Sequence, residues 1–247
     1  MIGVFDSGSG GLTVLAALRK RLPRADIAYF GDIKNAPYGE KSQDELARLT
    51  ASGMRQLQKM GATELISACN TASASVLFGL VGHDRVLEMT RPLARAARKF
   101  AGKRSLLLAT SATVSSRIYH DALEVIVPLD ALAIPGLAGA IEFGESSENI
   151  ETMIRDALSR AKGPYDIIVL GCTHYPLVRP IIERVAGERW PGVEIIDPAD
   201  AVAEAAKSQF SGEGTGKSIF RISKDSEQLR ARVAELFSDS GATIEIT

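Results

Sequence analysis

Ile167-Ile168-Val169-Leu170-Gly171-Cys172-Thr173-His174-Tyr175-Pro176 is an apolar run that stops at a cysteine, with small polar groups directly after it. Glu64-Leu65-Ile66-Ser67-Ala68-Cys69-Asn70-Thr71-Ala72-Ser73 repeats the design: a short β-prone run, a cysteine, then a threonine within two residues. These are the only cysteines in the chain. Each reads as a strand that delivers a thiol at its end, and the pair reads as two thiols facing one substrate.

Outward from these stretches the signals alternate strand, loop, helix. Strands are expected over 2–5, 27–30, 65–68, 105–109, 125–127, 166–171, 193–196, 219–222 and 243–246. Helices are expected over 12–22, 72–80, 92–100, 113–122 and 150–161, with Gly163-Pro164 stopping the last. Ser42 and Glu45 form a capping box, after which Leu46, Leu49, Gly53, Leu57 and Met60 share one helical face. Asp197 as N-cap before Pro198 starts a further helix, and Leu229, Val233, Leu236 and Phe237 mark the final one. Pro37 breaks the 32–39 segment into a loop.

Alternating βα units imply α/β architecture with mostly parallel sheets flanked by helices. A strand followed by a hydroxyl-rich turn occurs twice, at Phe5-Asp6-Ser7-Gly8 and at Ala109-Thr110-Ser111-Ala112-Thr113, and each is followed later by a strand ending in cysteine. Two similar lobes follow from this repeat, residues 1–90 with 208–247 and residues 91–207. Ligands bind beyond the carboxyl ends of such strands, so the active site is expected in the cleft between the lobes.

The chain has 247 residues, 45% apolar and 24% charged, with a formal net charge of -1. No Lys/Arg run suggests a nucleic-acid or membrane surface, and no segment is long enough to span a bilayer. The N-terminus lacks the pattern of a signal peptide, which makes a reduced, cytoplasmic setting the expectation. Partners are then small molecules or copies of the same chain.

Two glycine-rich stretches resemble phosphate loops. In Asp6-Ser7-Gly8-Ser9-Gly10-Gly11 the third fingerprint glycine is replaced by Thr13, and the loop fits a carboxylate as well as a nucleotide. The P-loop-like stretch over 211–218 has Ser211 in place of the first glycine, and lies between a helix and a strand, the reverse of the required order, so a surface loop is expected. His83, His120 and His174 do not pair with the cysteines at metal-ligand spacing. Cys172 with His174 fits a nucleophile-base pair for hydrolysis, a reading that leaves Cys69 without a task.

Four segments together resemble the glutamate racemase family: 4–12, 32–42 (with Pro37-Tyr38-Gly39-Glu40-Lys41-Ser42), Ala68-Cys69-Asn70-Thr71-Ala72-Ser73 and Leu170-Gly171-Cys172-Thr173-His174-Tyr175-Pro176. They come in the family's order and spacing from residue 2 to about 200. The resemblance implies a cofactor-independent, two-base racemase interconverting L- and D-glutamate for peptidoglycan, and a homodimer; no metal site is expected. Aspartate racemases carry a different first loop and usually Glu at the position of His174.

By that resemblance Cys69 and Cys172 are the catalytic pair, Cys69 removing the α-proton of D-glutamate and Cys172 protonating the opposite face. Asp6, Ser7, Tyr38, Gly39, Asn70, Thr71, Thr173 and His174 match substrate-contacting positions. Asp32 and Glu142 match supporting acids, while Thr110 and Thr113 match a hydroxyl turn near the α-carboxylate. Inversion through a planar carbanion needs a base on one face and an acid on the other, which two opposed thiols supply. A free thiol of pKa ~8.5 costs about 2 kcal/mol to ionise at pH 7, and Asp6 and His174 are expected to shuttle that proton. Ala109 and the 88–91 segment depart from the family's pattern.

Overall fold

In the computed structural model, which describes residues 1–82, 86–237 and 243–247, the strands fall into two sheets. In chain order the first half runs β1 (Ile2–Asp6), α1 (Leu12–Arg21), β2 (Ile27–Gly31), α2 (Gln43–Lys59), β3 (Glu64–Ser67), α3 (Asn70–Leu77), β4 (Val86–Leu87) and α4 (Thr90–Ala96). It continues with β5 (Ser105–Ala109), α5 (Ser111–Ser115), α6 (Ile118–Leu123), β6 (Leu129–Ala133), α7 (Leu137–Glu142), α8 (Ser147–Ser159), β7 (Ile167–Gly171), α9 (Arg179–Arg189) and β8 (Glu194–Ile196). Last come α10 (Pro198–Gln209), β9 (Ser218–Ile222), α11 (Glu227–Phe237) and β10 (Thr243–Ile246).

One sheet has the order β10-β9-β2-β1-β3-β4 and the other β6-β5-β7-β8, and every pairing among the described residues is parallel. Counting each sheet from its own first strand, β2-β1-β3-β4 and β6-β5-β7-β8 are the same order. In both, the chain turns one way after the central strand and later returns on its other side. The crevice therefore opens twice, between β1 and β3 and between β5 and β7.

Helices cover both faces of each sheet, so the central strands β1, β2, β5 and β7 are buried on both sides and read as apolar runs rather than alternating ones. On the first sheet, Val4, Ile27, Tyr29 and Ile66 pack with α1, α10 and α11, while Phe5, Ala28, Phe30 and Leu65 pack with α2. On the second, Leu106, Leu108, Ile168 and Leu170 meet α7, α8 and α9, while Leu107, Ala109, Ile167 and Val169 meet α4 and α6. Ala199, Val202, Ala203 and Ala206 of α10 lie in the first sheet's core.

Ser42 caps α2, accepting from the Glu45 backbone N–H at 3.4 Å, but the Glu45 carboxylate turns to Lys41 Nζ at 2.7 Å, so only half of the expected capping box forms. Asp197 caps α10 by accepting from Ala199 N at 2.9 Å. Residues 211–217 are a loop between α10 and β9, as their order implied, and Ser218 opens β9.

Three local expectations are corrected. The strand expected over 125–127 is a turn, with Val125 86% exposed, and the real strand β6 begins two residues later, after Pro128. The helix expected over 113–122 is two, α5 and α6, broken where Arg117 takes a left-handed φ of 58°. The helix expected from residue 72 begins at Asn70, because Cys69 is its N-cap. Helices α7 and α9 were not anticipated. Among the described residues no helix is long and apolar enough to cross a membrane. His83 lies outside the described residues.

Candidate active site

Segments at the carboxyl ends of β1, β2, β3, β5 and β7 converge with the end of α7. They bring together Ser7, Tyr38, Gly39, Cys69, Asn70, Thr71, Thr110, Glu142, Cys172, Thr173 and His174 around one cavity of about 20 Å³. That volume holds roughly one water, so the structure is a closed state. Asp6 lies just behind, fully buried, and accepts from Thr173 Oγ1 at 3.0 Å.

The thiol at the end of β3 is fixed by local structure. As N-cap of α3, Cys69 Sγ accepts from the Ala72 N–H at 3.5 Å, and it donates to Ser7 Oγ at 3.6 Å. Burial, then the nearby negative charge of Asp6, push this thiol up to about 12. The Asp6 carboxylate touches Gly8 N at 2.9 Å and Thr173 rather than the sulfur, so it acts on Cys69 through charge. Burial also raises Asp6 itself above its ordinary value.

The thiol at the end of β7 has different company. Cys172 Sγ lies 3.8 Å from His174 Nδ1, and His174 Nε2 lies 2.5 Å from Glu142 Oε2. Burial opposes charge on His174, yet its hydrogen bonds to Cys172 and Glu142 prevail and raise it to about 10. Burial likewise opposes the Glu142 carboxylate, which His174 and Ser9 nevertheless hold at about 2. The pair is therefore imidazolium and carboxylate at neutral pH. Ser9 donates twice to the same Oε2, from its N–H at 3.0 Å and its hydroxyl at 2.6 Å.

At the wall of the cavity lies a ring of three hydroxyls. Thr71 Oγ1 is 2.9 Å from Thr110 Oγ1 and 3.1 Å from Thr113 Oγ1, and Thr110 donates to Thr113 at 2.9 Å. Thr71 lies in the first turn of α3, Thr110 caps α5 and Thr113 lies within it, so the ring bridges the sheets. The Asn70 Nδ2 amide is buried without a hydrogen-bond partner, while its Oδ1 accepts from Tyr119 OH. Tyr38 OH donates to Asp32 Oδ2 at 2.7 Å, and Asn35 and Ser223 also hold that carboxylate.

Two glycines set how closely the lobes approach. A Cβ on Gly39 would sit 2.8 Å from Thr110 Cβ, and one on Gly10 would sit 2.6 Å from Thr173 Oγ1 and 2.7 Å from His174 Nδ1. Both are closer than real side chains come, so backbone itself forms this part of the wall.

Each residue expected at the site is in or against it. Ser9, Tyr119 and Arg232 take part without having been anticipated. Ser9 belongs to a loop whose glycines drew attention, but nothing near Tyr119 or Arg232 in sequence points to the site. No cluster of three or more His, Cys, Asp or Glu suited to a metal ion occurs among the described residues.

The chain belongs to the Asp/Glu/hydantoin racemase family, whose model matches residues 12–206, and family members of this kind are isomerases. Among its relatives within the family are glutamate racemases. The curated glutamate racemase of Koribacter versatilis is 38% identical, with 83% of this chain and 72% of that protein covered. The crystal structure of glutamate racemase isoform RacE1 from Bacillus anthracis superposes with a TM-score of 0.87 at 28% identity, covering 100% of this chain and 96% of that one. Glutamate racemase from Francisella tularensis, solved in complex with D-glutamate, gives 0.82 at 26% identity with the same coverage.

Proposed function

We propose that this chain interconverts L- and D-glutamate by passing the α-proton between Cys69 and Cys172, without a cofactor, and so supplies D-glutamate for peptidoglycan. One observation carries the reading: two thiols at equivalent ends of two like-ordered sheets line a single cavity. A hydrolase would need only one of them.

From D-glutamate, Cys69 as thiolate takes the α-proton and Cys172 as thiol gives one to the opposite face; from L-glutamate the roles reverse. A thiol held near 12 costs about 7 kcal/mol to ionise at pH 7, too much to leave uncompensated. The substrate's ammonium, drawn in beside buried Asp6, offsets that cost by placing a positive charge near the sulfur. His174, already an imidazolium, provides the corresponding charge beside Cys172. Ser7 relays protons at Cys69, the role first given to Asp6.

The free Asn70 amide and the three threonine hydroxyls supply donors for the α-carboxylate, where charge develops in the transition state, while the Thr173 hydroxyl stays committed to Asp6. The Tyr38 hydroxyl is committed to Asp32, so the backbone N–H groups of the 38–39 loop are the groups left to hold the side-chain carboxylate. A cavity of about 20 Å³ requires the lobes to part before glutamate enters. The lobes we assign are 1–89 with 198–247 and 90–197, since α10 packs with the first sheet.

The decisive experiment follows the circular dichroism of D-glutamate with purified protein and no added cofactor. Decay of the signal to zero is expected; a constant signal overturns the proposal, and decay with D-aspartate instead reassigns the substrate. The Cys172–His174–Glu142 line also has the order of a hydrolase triad. That second reading predicts that Cys69→Ala leaves turnover intact. A homodimer is the arrangement expected from the family resemblance, and a cytoplasmic setting the one expected from the N-terminal sequence; light scattering on the purified chain tests the dimer.

A further inference from the structure

Arg232 lies on α11, whose Leu229, Val233 and Phe237 are packed in the first lobe's core. Its side chain is only 16% exposed, and it points across the cleft. Nη2 donates to Ile141 O at 2.7 Å, and Nη1 reaches Glu142 Oε2 at 3.4 Å and the Ser9 hydroxyl. Ile141 and Glu142 belong to α7 of the second lobe. Gln228, one turn earlier on α11, lies beside Gly144, two residues past the end of α7. One guanidinium thus ties the last helix of the first lobe to the residue that holds His174.

The arrangement at Glu142 gives this tie a purpose. Ser9 N, Ser9 Oγ, His174 Nε2 and Arg232 Nη1 all converge on Oε2, and Oε1 is buried with no hydrogen-bond partner. A carboxylate left to itself would rotate to share its donors between both oxygens. Arg232, anchored on the neighbouring Ile141 carbonyl, blocks that rotation by holding a fixed fork against the end of α7. The line from Arg232 through Glu142 and His174 ends on Cys172 and does not touch Cys69.

We infer that Arg232 is a positioning residue that aims Glu142 and His174 at Cys172 when the lobes close, so that the seat of α11 governs one of the two proton transfers. The inference rests on the racemase reading. L- and D-glutamate are mirror images, so the ratio of kcat/KM in the two directions is fixed by an equilibrium constant of unity. A defect at one thiol therefore lowers both directions alike and is visible in which step limits each of them.

The test compares Arg232→Met and Arg232→Lys with the unmodified protein, after confirming by far-ultraviolet circular dichroism that each is folded. Arg232→Met is expected to lower kcat/KM about 10- to 100-fold, the loss of one hydrogen-bonded charge, and Arg232→Lys to recover part of that. In Arg232→Met the deuterium effect on kcat/KM should rise with α-deuterated L-glutamate, whose proton goes to Cys172. It should fall with α-deuterated D-glutamate, whose proton goes to Cys69. Movement of both effects in one direction, or of neither, overturns the inference.

A second readout needs no turnover. The short His174–Glu142 bond should give a far-downfield imidazole proton in the NMR spectrum, identified by its loss in His174→Gln. It should persist in Arg232→Lys and be lost or broadened in Arg232→Met; an unchanged signal in Arg232→Met overturns the inference. If the unmodified protein racemises nothing, the function proposal fails while this signal still decides whether Arg232 positions the pair.

Discussion

The two ends of the cleft are built on the same strand order and handle protons differently. At the carboxyl end of β3, Cys69 has a helix cap and a serine hydroxyl for company, with negative charge nearby. At the carboxyl end of β7, Cys172 faces a buried imidazolium backed by a carboxylate and an arginine. Topology repeats because strand order is fixed by backbone pairing and helix packing, which any apolar pattern of the right period satisfies. Charge does not repeat; in the proposed mechanism each thiol serves a different face of the substrate. One end then stands ready to receive a proton when the other gives one up, whereas a symmetric site would have to rearrange between directions.

The largest effect should come from the thiols. Cys69→Ser and Cys172→Ser are each expected to reduce kcat/KM by roughly 10² to 10⁴-fold, the usual weight of a positioned acid or base. Polarimetry with both enantiomers measures it. If either variant kept full activity, the two ends would not be partners at all.

Next in size is the charge behind Cys172. His174→Gln should cost about 10- to 100-fold in kcat/KM by removing a charged hydrogen bond. It should also change the pH dependence of stability. The imidazole is raised from 6.5 to about 10, so its stabilising contribution is complete below about pH 6.5 and disappears as pH rises through about 10. Urea titrations across that range should show the gap between the unmodified protein and His174→Gln closing as pH rises. The lowered Glu142 describes the same bond and is not added to it. A gap that stayed constant with pH would mean that His174 is neutral, and the contrast between the two ends would lose its electrostatic basis.

Smaller effects are expected from the glycines, and they should separate the two ends. A methyl group on Gly39 runs into Thr110 beside the hydroxyl ring, so Gly39→Ala should act mainly on KM. On Gly10 it runs into His174, so Gly10→Ala should act mainly on kcat. Overpacking of about 1–3 kcal/mol sets the scale, roughly tenfold for either. Steady-state kinetics in both directions checks the split; the reverse assignment would mean that carboxylate binding and proton transfer are not divided between these two contacts in this way.

The same contrast explains what was legible in the sequence. Central strands covered on both faces leave uninterrupted apolar runs, so Leu65-Ile66 and Ile167-Ile168-Val169-Leu170 announced themselves along with the thiols that follow. Edge and short elements left weaker traces. In β6, Asp130 is exposed and its neighbours are only half-buried, which let the more apolar 125–127 stretch compete for the assignment. The six residues of α7 are too few for a helical period, although Glu142 sits at its end. Nothing in composition marks Arg117 for a left-handed φ, and Arg232 is one arginine among several until α11 is laid against α7. Chemistry borne by neighbours in sequence was readable, whereas chemistry borne by residues as distant as Ser9 and Arg232 required the fold.

Tyr38 gives the smallest expected effect on catalysis. The resemblance puts it among the substrate contacts, and its ring does line the cavity, tilted by 55° against Phe5 at a centroid distance of 6.2 Å. Its hydroxyl points to Asp32, and this bond raises it above the ordinary phenol range, behind burial and the Asp32 charge. A donor so engaged has no proton to offer glutamate. Tyr38→Phe keeps the ring and the backbone N–H groups of the 38–39 loop and deletes only the bond to a charged acceptor. Stability should fall by about 1.5–3 kcal/mol, while KM for either enantiomer moves little. Loss of glutamate affinity with stability unchanged would reverse the assignment: the hydroxyl would then turn from Asp32 to the substrate when the lobes part, and side-chain recognition would rest on a switch in the first lobe.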